Sequence, residues 1–371
     1  MTINYVCNEC GKRYSPYDFP YICSCGGMLN LEDFPREFSM DKILKNEWSL
    51  FRYLKVLPFE EENILWKDVT MGEGLTALIP LDKNNPDILV KMDYMMPTLS
   101  FKDRGAAVLV AKAKEFGAKK VIQDSSGNAG NSIAAYANRV GIECDIYVPE
   151  GTSPKKITMI ESHGAKVHII PGTREDTAKA ALKAVENREG FYASHVYNPY
   201  FYEGTKTYVY EIFEQLNGNM VDTLVIPVGN GTLLLGAYYG VRELLDLGLI
   251  EKMPRIIGVQ AEGCSPIYKA FKEEVMEVEE VINTGTRAEG IAIAAPKRGK
   301  QVLEAINATN GDIIIAPEKN ILKVQQNLAK KGLYVEITTA ATFAAFFKYY
   351  KDNKNLGKVV LPLCGAGLKS S

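Results

Sequence analysis

Strand-like and helix-like segments alternate along most of this chain, and that alternation restricts its possible folds more than any other feature. From Asp87 onward nine apolar, β-rich runs recur: "DILVKM", "KKVIQDS", "ECDIYVP", "AKVHIIP", "FYASHVY", "DTLVIPVG", "RIIGVQAE", "GDIIIAP" and "KVVLPLC". Segments with helical spacing of apolar residues lie between most of them, among them "NSIAAYANRVG", "DTAKAALKAVENRE" and "ILKVQQNLAKKG". Strands alternating with helices of about 10–15 residues form βαβ units and mainly parallel sheets. Nine strands exceed one comfortable doubly wound sheet, and 371 residues suit about two domains. The expectation is therefore an α/β protein with two doubly wound, mainly parallel sheets and a ligand cleft between them. Ahead of this region, "FSMDKILKNEWSLFRYLKVLPF" reads as a helical lead-in and "MGEGLTALIPL" as a Gly-rich loop.

Charge excludes some partners. The 43 basic and 45 acidic residues leave a net charge of −2, whereas nucleic acids and anionic membranes select basic surfaces. The start "MTINYVCNEC" has neither a basic nor an apolar leader region, so no secretory signal is expected. The uncharged run at 223–241 is broken by Pro227 and "GNG", which reads as strand, loop and helix rather than a membrane span. A cytoplasmic location is the expectation.

Four of the seven cysteines crowd the N-terminus as C-x2-C-x12-C-x-C: Cys7, Cys10, Cys23 and Cys25. Clustered cysteines in an intracellular chain point to metal more than to disulfides. Tetrahedral zinc takes four thiolates brought together by two tight turns, and Gly11, Gly26 and Gly27 permit such turns. About thirty residues bury little core alone, so a metal staple suits them. With all four ligands protein-derived, such a site is structural, a zinc-ribbon-like segment over residues 1–30. A metal-free remnant or a redox pair is the alternative reading.

In open α/β sheets, ligands bind beyond the carboxyl ends of strands. Three such junctions carry unusual residues. In "PTLSFKDRG" (97–105), Lys102 stands at a strand-to-helix junction between Phe101 and the pair Asp103–Arg104. In "DSSGNAGN" (124–131), hydroxyls and free N–H groups precede a helix and suit a carboxylate. In "PVGNGT" (227–232), small residues expose backbone N–H groups to a phosphate. Singly, each has an ordinary structural explanation. Together they match what pyridoxal phosphate needs: an amine for a Schiff base, a phosphate cradle and a seat for an amino-acid carboxylate. A nearby cation and partial desolvation are what make a lysine a usable nucleophile. His163, His168 and His195 are widely spaced and read as structural.

The chain resembles the threonine synthase branch of the fold-type II (tryptophan synthase β-like) pyridoxal-phosphate enzymes. The motifs that carry this are "CNECGKRY…CSCGGML", "FRYLKVLPF", "GEGLTAL", "SFKDRG", "SSGNAG", "NPYFYEGTKT", "GNGT" and "LPLCGAGLKS", spread over nearly the whole length. The resemblance implies that Lys102 forms the Schiff base and moves protons at the substrate α-carbon. It implies that Asn128 bonds the cofactor's 3-hydroxyl, that Gly229, Asn230, Gly231 and Thr232 bind its phosphate, and that Cys364 lies beside its ring nitrogen. Ser125, Ser126, Gly127 and Ala129 would line the substrate carboxylate site, with Asn198 and Lys206 as further substrate ligands. The implied division is a small domain at 101–210 and a large cofactor domain at 31–100 and 211–371. A homodimer is implied as well.

Two departures bear on the substrate. In "NPYFYEGTKT", Phe201 stands where many threonine synthases have an arginine that grips the substrate phosphate, and Thr205 stands where they have glutamine. Arginine's fork suits phosphate in a way that lysine does not reproduce. Cys364 stands where the branch usually has threonine, another neutral partner. The leading expectation is threonine synthase chemistry, O-phosphohomoserine and water giving threonine and phosphate. The alternatives keep the cofactor: a threonine or serine dehydratase, a diaminopropionate ammonia-lyase, or a β-replacement enzyme of the cysteate synthase kind. A non-catalytic binding module in which the cysteine segment docks a partner is a third class.

Overall fold

The structure is a computed structural model that describes residues 3–60 and 62–369. By their packing the residues form two compact units, one of 1–73 and 102–205 and the other of 74–101 and 206–371.

The first unit holds two sheets. Strands β1 (Tyr5–Cys7), β2 (Arg13–Tyr14) and β3 (Leu29–Leu31) form a small antiparallel sheet in the order β2-β1-β3. Four parallel strands make the other: β6 (Lys120–Gln123), β7 (Glu143–Pro149), β8 (Lys166–Ile170) and β9 (Phe191–Tyr192), in the order β8-β7-β6-β9. Val121, Ile146 and Val148 of this sheet share a core with Val108 and Leu109 of the Lys102–Glu115 helix and with Ile133 of the Asn128–Arg139 helix. Continuous Val/Ile runs are what a parallel sheet buried on both faces requires.

Residues 31–73, expected in the larger domain, belong to this unit. Leu50, Phe51, Leu54, Leu57, Trp66 and Val69 enter the same core as Ala106 and Val110, and the Phe51 and Trp66 rings stack with centroids 4.9 Å apart. The expected helical lead-in reduces to a 3-10 segment, Leu50–Val56, where the Ser49 hydroxyl accepts the Phe51 N–H.

The second unit is built on β4 (Leu78–Asp82), β5 (Asn85–Lys91), β10 (Thr223–Pro227), β11 (Arg255–Ala261), β12 (Asp312–Ala316) and β13 (Val359–Pro362). Their order is β12-β11-β10-β13-β5-β4, all parallel except β4, which runs antiparallel to β5. The Ile337–Asp352 helix covers the sheet with Phe343 and Phe346 against Val225, Ile257 and Val359. All nine expected runs contain a strand. The uncharged run resolves into β10, a loop and the Thr232–Asp246 helix. No helix among the described residues is long and apolar enough to cross a membrane.

Candidate active site and cysteine centre

In the first unit, Lys102 is the first residue of its helix and is half-buried, with Nζ 5.5 Å from the centre of the Phe201 ring. Phe201 is fully buried. A Cβ on Gly105 would lie 2.4 Å from the Phe201 ring, and one on Gly204 would lie 2.0 Å from the carbonyl oxygen of Arg104. The two motif glycines thus let the Lys102–Glu115 and Pro199–Thr205 helices touch backbone to backbone, with Phe201 as the floor under Lys102. His195, set aside on sequence, meets Phe201 edge-on at 5.9 Å. Burial, reinforced by the positive charges of Lys102 and Arg174, pushes its imidazole well below the usual histidine range, so it stays neutral at physiological pH.

The Ser-Ser-Gly-Asn loop follows β6. Ser125 Oγ accepts the Gly127 N–H at 3.3 Å. Gly127 is the N-terminal cap of the Asn128–Arg139 helix and offers no side chain of its own to the helical N–H groups. A Cβ at Gly130 would collide with the Ser125 carbonyl oxygen at 1.8 Å, which makes glycine obligatory there. Ser126, Gly127 and Asn128 are half-buried, and Ala129 is buried.

Two residues expected on the substrate also make contacts within the protein. Asn198 Oδ1 accepts the Tyr200 N–H at 3.1 Å and caps the Pro199–Thr205 helix. Lys206 lies in the second unit, fully buried, with Nζ 3.0 Å from Glu243 Oε1, and Glu243 also accepts from the Tyr210 hydroxyl.

The second unit carries the Gly-rich loop after β10. Gly231 has φ +79°, and a Cβ on it would meet Val302 at 2.5 Å; a Cβ on Gly229 would meet the Gly290 carbonyl oxygen at 3.0 Å. Gly231 is the cap of the 15-residue helix Thr232–Asp246 and offers no side chain of its own to the helical N–H groups. That is the composition of an anion cradle. Asn230 is half-buried and Thr232 buried. Substituting Gly231 with alanine imposes both a left-handed strain and the Val302 clash, so cofactor affinity should fall at least tenfold in an absorbance titration.

Cys364 is buried just past β13, its N–H donated to Thr339 Oγ1 at 3.0 Å. Its carbonyl accepts the N–H of Phe101 at 2.9 Å, and Ser100 bridges Gly365. The residue that precedes Lys102 is thereby pinned beside Cys364. Leu99 takes φ +61° two residues earlier than Phe101, a conformation costing about 1–3 kcal/mol. Ser100 Oγ and Asn131 Oδ1 are buried without a protein hydrogen-bond partner. Orphaned polar atoms in both loop regions fit residues that await a polar ligand.

Glu73 was not singled out by sequence, although it sits in "GEGLTAL". Its carboxylate is fully buried and accepts from the Tyr136 hydroxyl (2.9 Å), the Thr70 hydroxyl (2.9 Å) and the Met71 N–H (2.8 Å). Desolvation outweighs these bonds and raises its pKa from 4.5 to about 7. The folded state therefore holds a proton that the unfolded state releases. Stability from this proton is complete below pH 4.5 and is lost as pH rises through about 7. The stability of wild type relative to Glu73→Gln should thus fall by about 3 kcal/mol across that window, as read by denaturant unfolding at several pH values. A difference independent of pH would refute this.

The four N-terminal sulfurs lie within 4.8 Å of one another. Cys7–Cys25 is 3.6 Å, Cys10–Cys23 3.5 Å and Cys10–Cys25 3.5 Å. Four ligands at a Zn–S distance of about 2.3 Å stand about 3.8 Å apart in a tetrahedron, close to this spacing. Gly11 and Gly26 adopt φ +72° and +85°, and a Cβ on Gly27 would lie 2.6 Å from Cys7 Sγ.

A lysine that opens a helix and glycine-rich turns that lead from strands into helices are features shared with cofactor enzymes. The family model for pyridoxal-phosphate dependent enzymes matches residues 69–365, and the chain belongs to that family. Within it, the chain is similar to curated threonine synthases. That of Methanocaldococcus jannaschii is 32% identical over 98% of this chain and 92% of its own length. That of Methanosarcina acetivorans is 36% identical, over 92% of this chain and 85% of its own. Among solved structures, threonine deaminase isoform 2 from Solanum lycopersicum superposes with a TM-score of 0.70 at 22% identity, covering 90% of this chain and 92% of its own. The fold is thus that of fold-type II enzymes.

Proposed function

We propose that the protein is a pyridoxal-phosphate-dependent lyase that converts O-phosphohomoserine and water to threonine and phosphate. The observation that carries this reading is similarity to threonine synthases at 32% identity along 98% of the chain. When bound, the cofactor supplies an electron sink for negative charge at the substrate α-carbon. Lys102 would hold it covalently, and its amine would move the substrate α-proton. Asn128 would bond the ring hydroxyl, residues 229–232 would hold the phosphate, and Cys364 would offer the ring nitrogen a neutral partner. Residues 125–127 and Ala129 seat the substrate carboxylate. Incubation of cofactor-loaded protein with O-phosphohomoserine should release phosphate and threonine in equal amounts. Absence of both sinks the proposal.

A second reading is favoured by Phe201 and Lys206. The helix that gives many threonine synthases a phosphate-gripping arginine here presents a buried phenylalanine to Gly105, and Lys206 is tied to Glu243. A dehydratase or β-replacement reaction on an unphosphorylated amino acid needs no such cation. Ketoacid and ammonia from threonine, serine or diaminopropionate, with no phosphate from O-phosphohomoserine, would establish it.

The cysteine centre reads as structural zinc in a ribbon-like segment. Purified protein should carry about one zinc per chain, and Gly27→Ala should lose it, because the added methyl occupies the space of the Cys7 sulfur. Full zinc content in that variant would count against the assignment. A homodimer in the cytoplasm completes the proposal, testable by sedimentation and fractionation.

A further inference from the structure

The Asn128–Arg139 helix carries a polar row through an apolar interior. Ala129, Ile133, Ala134 and Ala137 are buried around it, yet Asn128, Ser132 and Tyr136 recur at every fourth residue and so share one face. Both inner members of the row are bonded to carboxylates. The Ser132 hydroxyl donates to Asp103, the residue that follows Lys102. The Tyr136 hydroxyl donates to Glu73 at 2.9 Å. Ser132, Tyr136, Asp103 and Glu73 are all fully buried. Glu73 is itself fixed, since Thr70 and Met71 donate to its carboxylate and its carbonyl accepts the Leu50 N–H at 2.7 Å.

Packing alone does not call for this arrangement. Apolar side chains of the same volume would avoid the desolvation of two carboxylates and serve as well or better. What directional bonds add is register, because a fully satisfied polar network specifies one rotation and one height of a helix where apolar contact tolerates several. The outer member of the row is Asn128, and the loop of residues 125–127 precedes it directly.

We propose that Glu73 and Tyr136 are positioning residues, which with the Ser132–Asp103 bond hold the Asn128–Arg139 helix in one register against the Lys102 helix. Asn128 and the carboxylate loop are then presented to the reaction at a fixed height relative to Lys102. The inference rests on the assignment of Lys102 and Asn128 to the cofactor. Neither Glu73 nor Tyr136 touches substrate in this scheme; both act through Asn128 and its loop. The other ionisable groups around the pair are Asp103 and Arg139, which act on Tyr136 through their charge.

The test uses holoprotein variants Glu73→Gln, Tyr136→Phe and Ser132→Ala, each read in three ways. A register shift of about 1 Å at reacting groups costs up to about a hundredfold, so kcat should fall roughly tenfold to a hundredfold at temperatures well below unfolding. Amide hydrogen exchange at residues 125–131 should accelerate at least tenfold while exchange in β10 and β11 is unchanged. The visible absorbance of bound cofactor should shift or weaken as Asn128 moves. Unchanged kcat, loop exchange and spectrum in folded Tyr136→Phe and Glu73→Gln proteins would overturn the proposal. So would uniformly faster exchange with normal kcat, which marks a merely structural role. Should one variant fail to fold, Ser132→Ala tests the same row from its other carboxylate. Failure of the wild type to take up cofactor would instead count against the cofactor assignment.

Discussion

Lys102→Ala will remove the visible absorbance of cofactor-loaded protein and lower turnover by about a thousandfold or more, at least about 4 kcal/mol of barrier. Three observations concentrate this effect on one side chain. Lys102 opens its helix over the Phe201 ring. The preceding residue is pinned by the Phe101–Cys364 backbone bond. Gly105 and Gly204 bring the supporting helices into backbone contact. An arginine at the same place would keep the charge but make no reversible Schiff base, so Lys102→Arg should be nearly as inactive. A spectrum and turnover unaltered in Lys102→Ala would remove the basis for assigning this residue.

The largest effect on stability is expected at Lys91. Its Nζ lies 2.7 Å from Glu211 Oε2, both side chains are wholly shielded from solvent, and the amine also donates to the Thr76 carbonyl. Gln215 donates to the same carbonyl, and the Thr76 hydroxyl donates to Asp93. Lys91→Ala removes the ammonium that faces the buried Glu211 carboxylate and should destabilise the second unit by about 3–5 kcal/mol. In thermal unfolding that is a drop on the order of 10 °C. The double change Lys91→Met with Glu211→Leu removes both charges and should recover most of the loss. If the single variant unfolds within a degree or two of wild type, the pair does not hold the unit together in this way.

The sequence made the strands legible because apolar runs of strand length are a local signal, and each of the nine runs contains one. It did not show β4, a short edge strand whose "LIPLD" includes a proline and buries only Leu81. Nor could it place residues 31–73. Their apolar side chains announce burial but not which sheet they cover, and Phe51 and Trp66 settle that only by packing with Ala106 and Val110. The same limit applies at the site. The glycine loops directly follow β6 and β10, as their sequence positions suggest, whereas Lys102 opens its helix with ten residues between it and the end of β5, the Asp93–Met95 turn among them. The contacts of Asn198 with the Tyr200 N–H and of Lys206 with Glu243 become visible only in the folded chain. Phe201 departs in residue type from the related motif, while its place beneath Lys102 comes from the fold and from its contact with Gly105. Glu73 and Tyr136 are 63 residues apart, and no periodicity links them.

Reduction of the holoprotein with borohydride, followed by peptide mass mapping, bears most directly on the cofactor chemistry. The reduced protein should carry one pyridoxyl phosphate per chain, on the peptide that contains Lys102 and nowhere else. A label on another lysine, or none on protein that has been loaded with cofactor, would be incompatible with Lys102 as the residue that holds it.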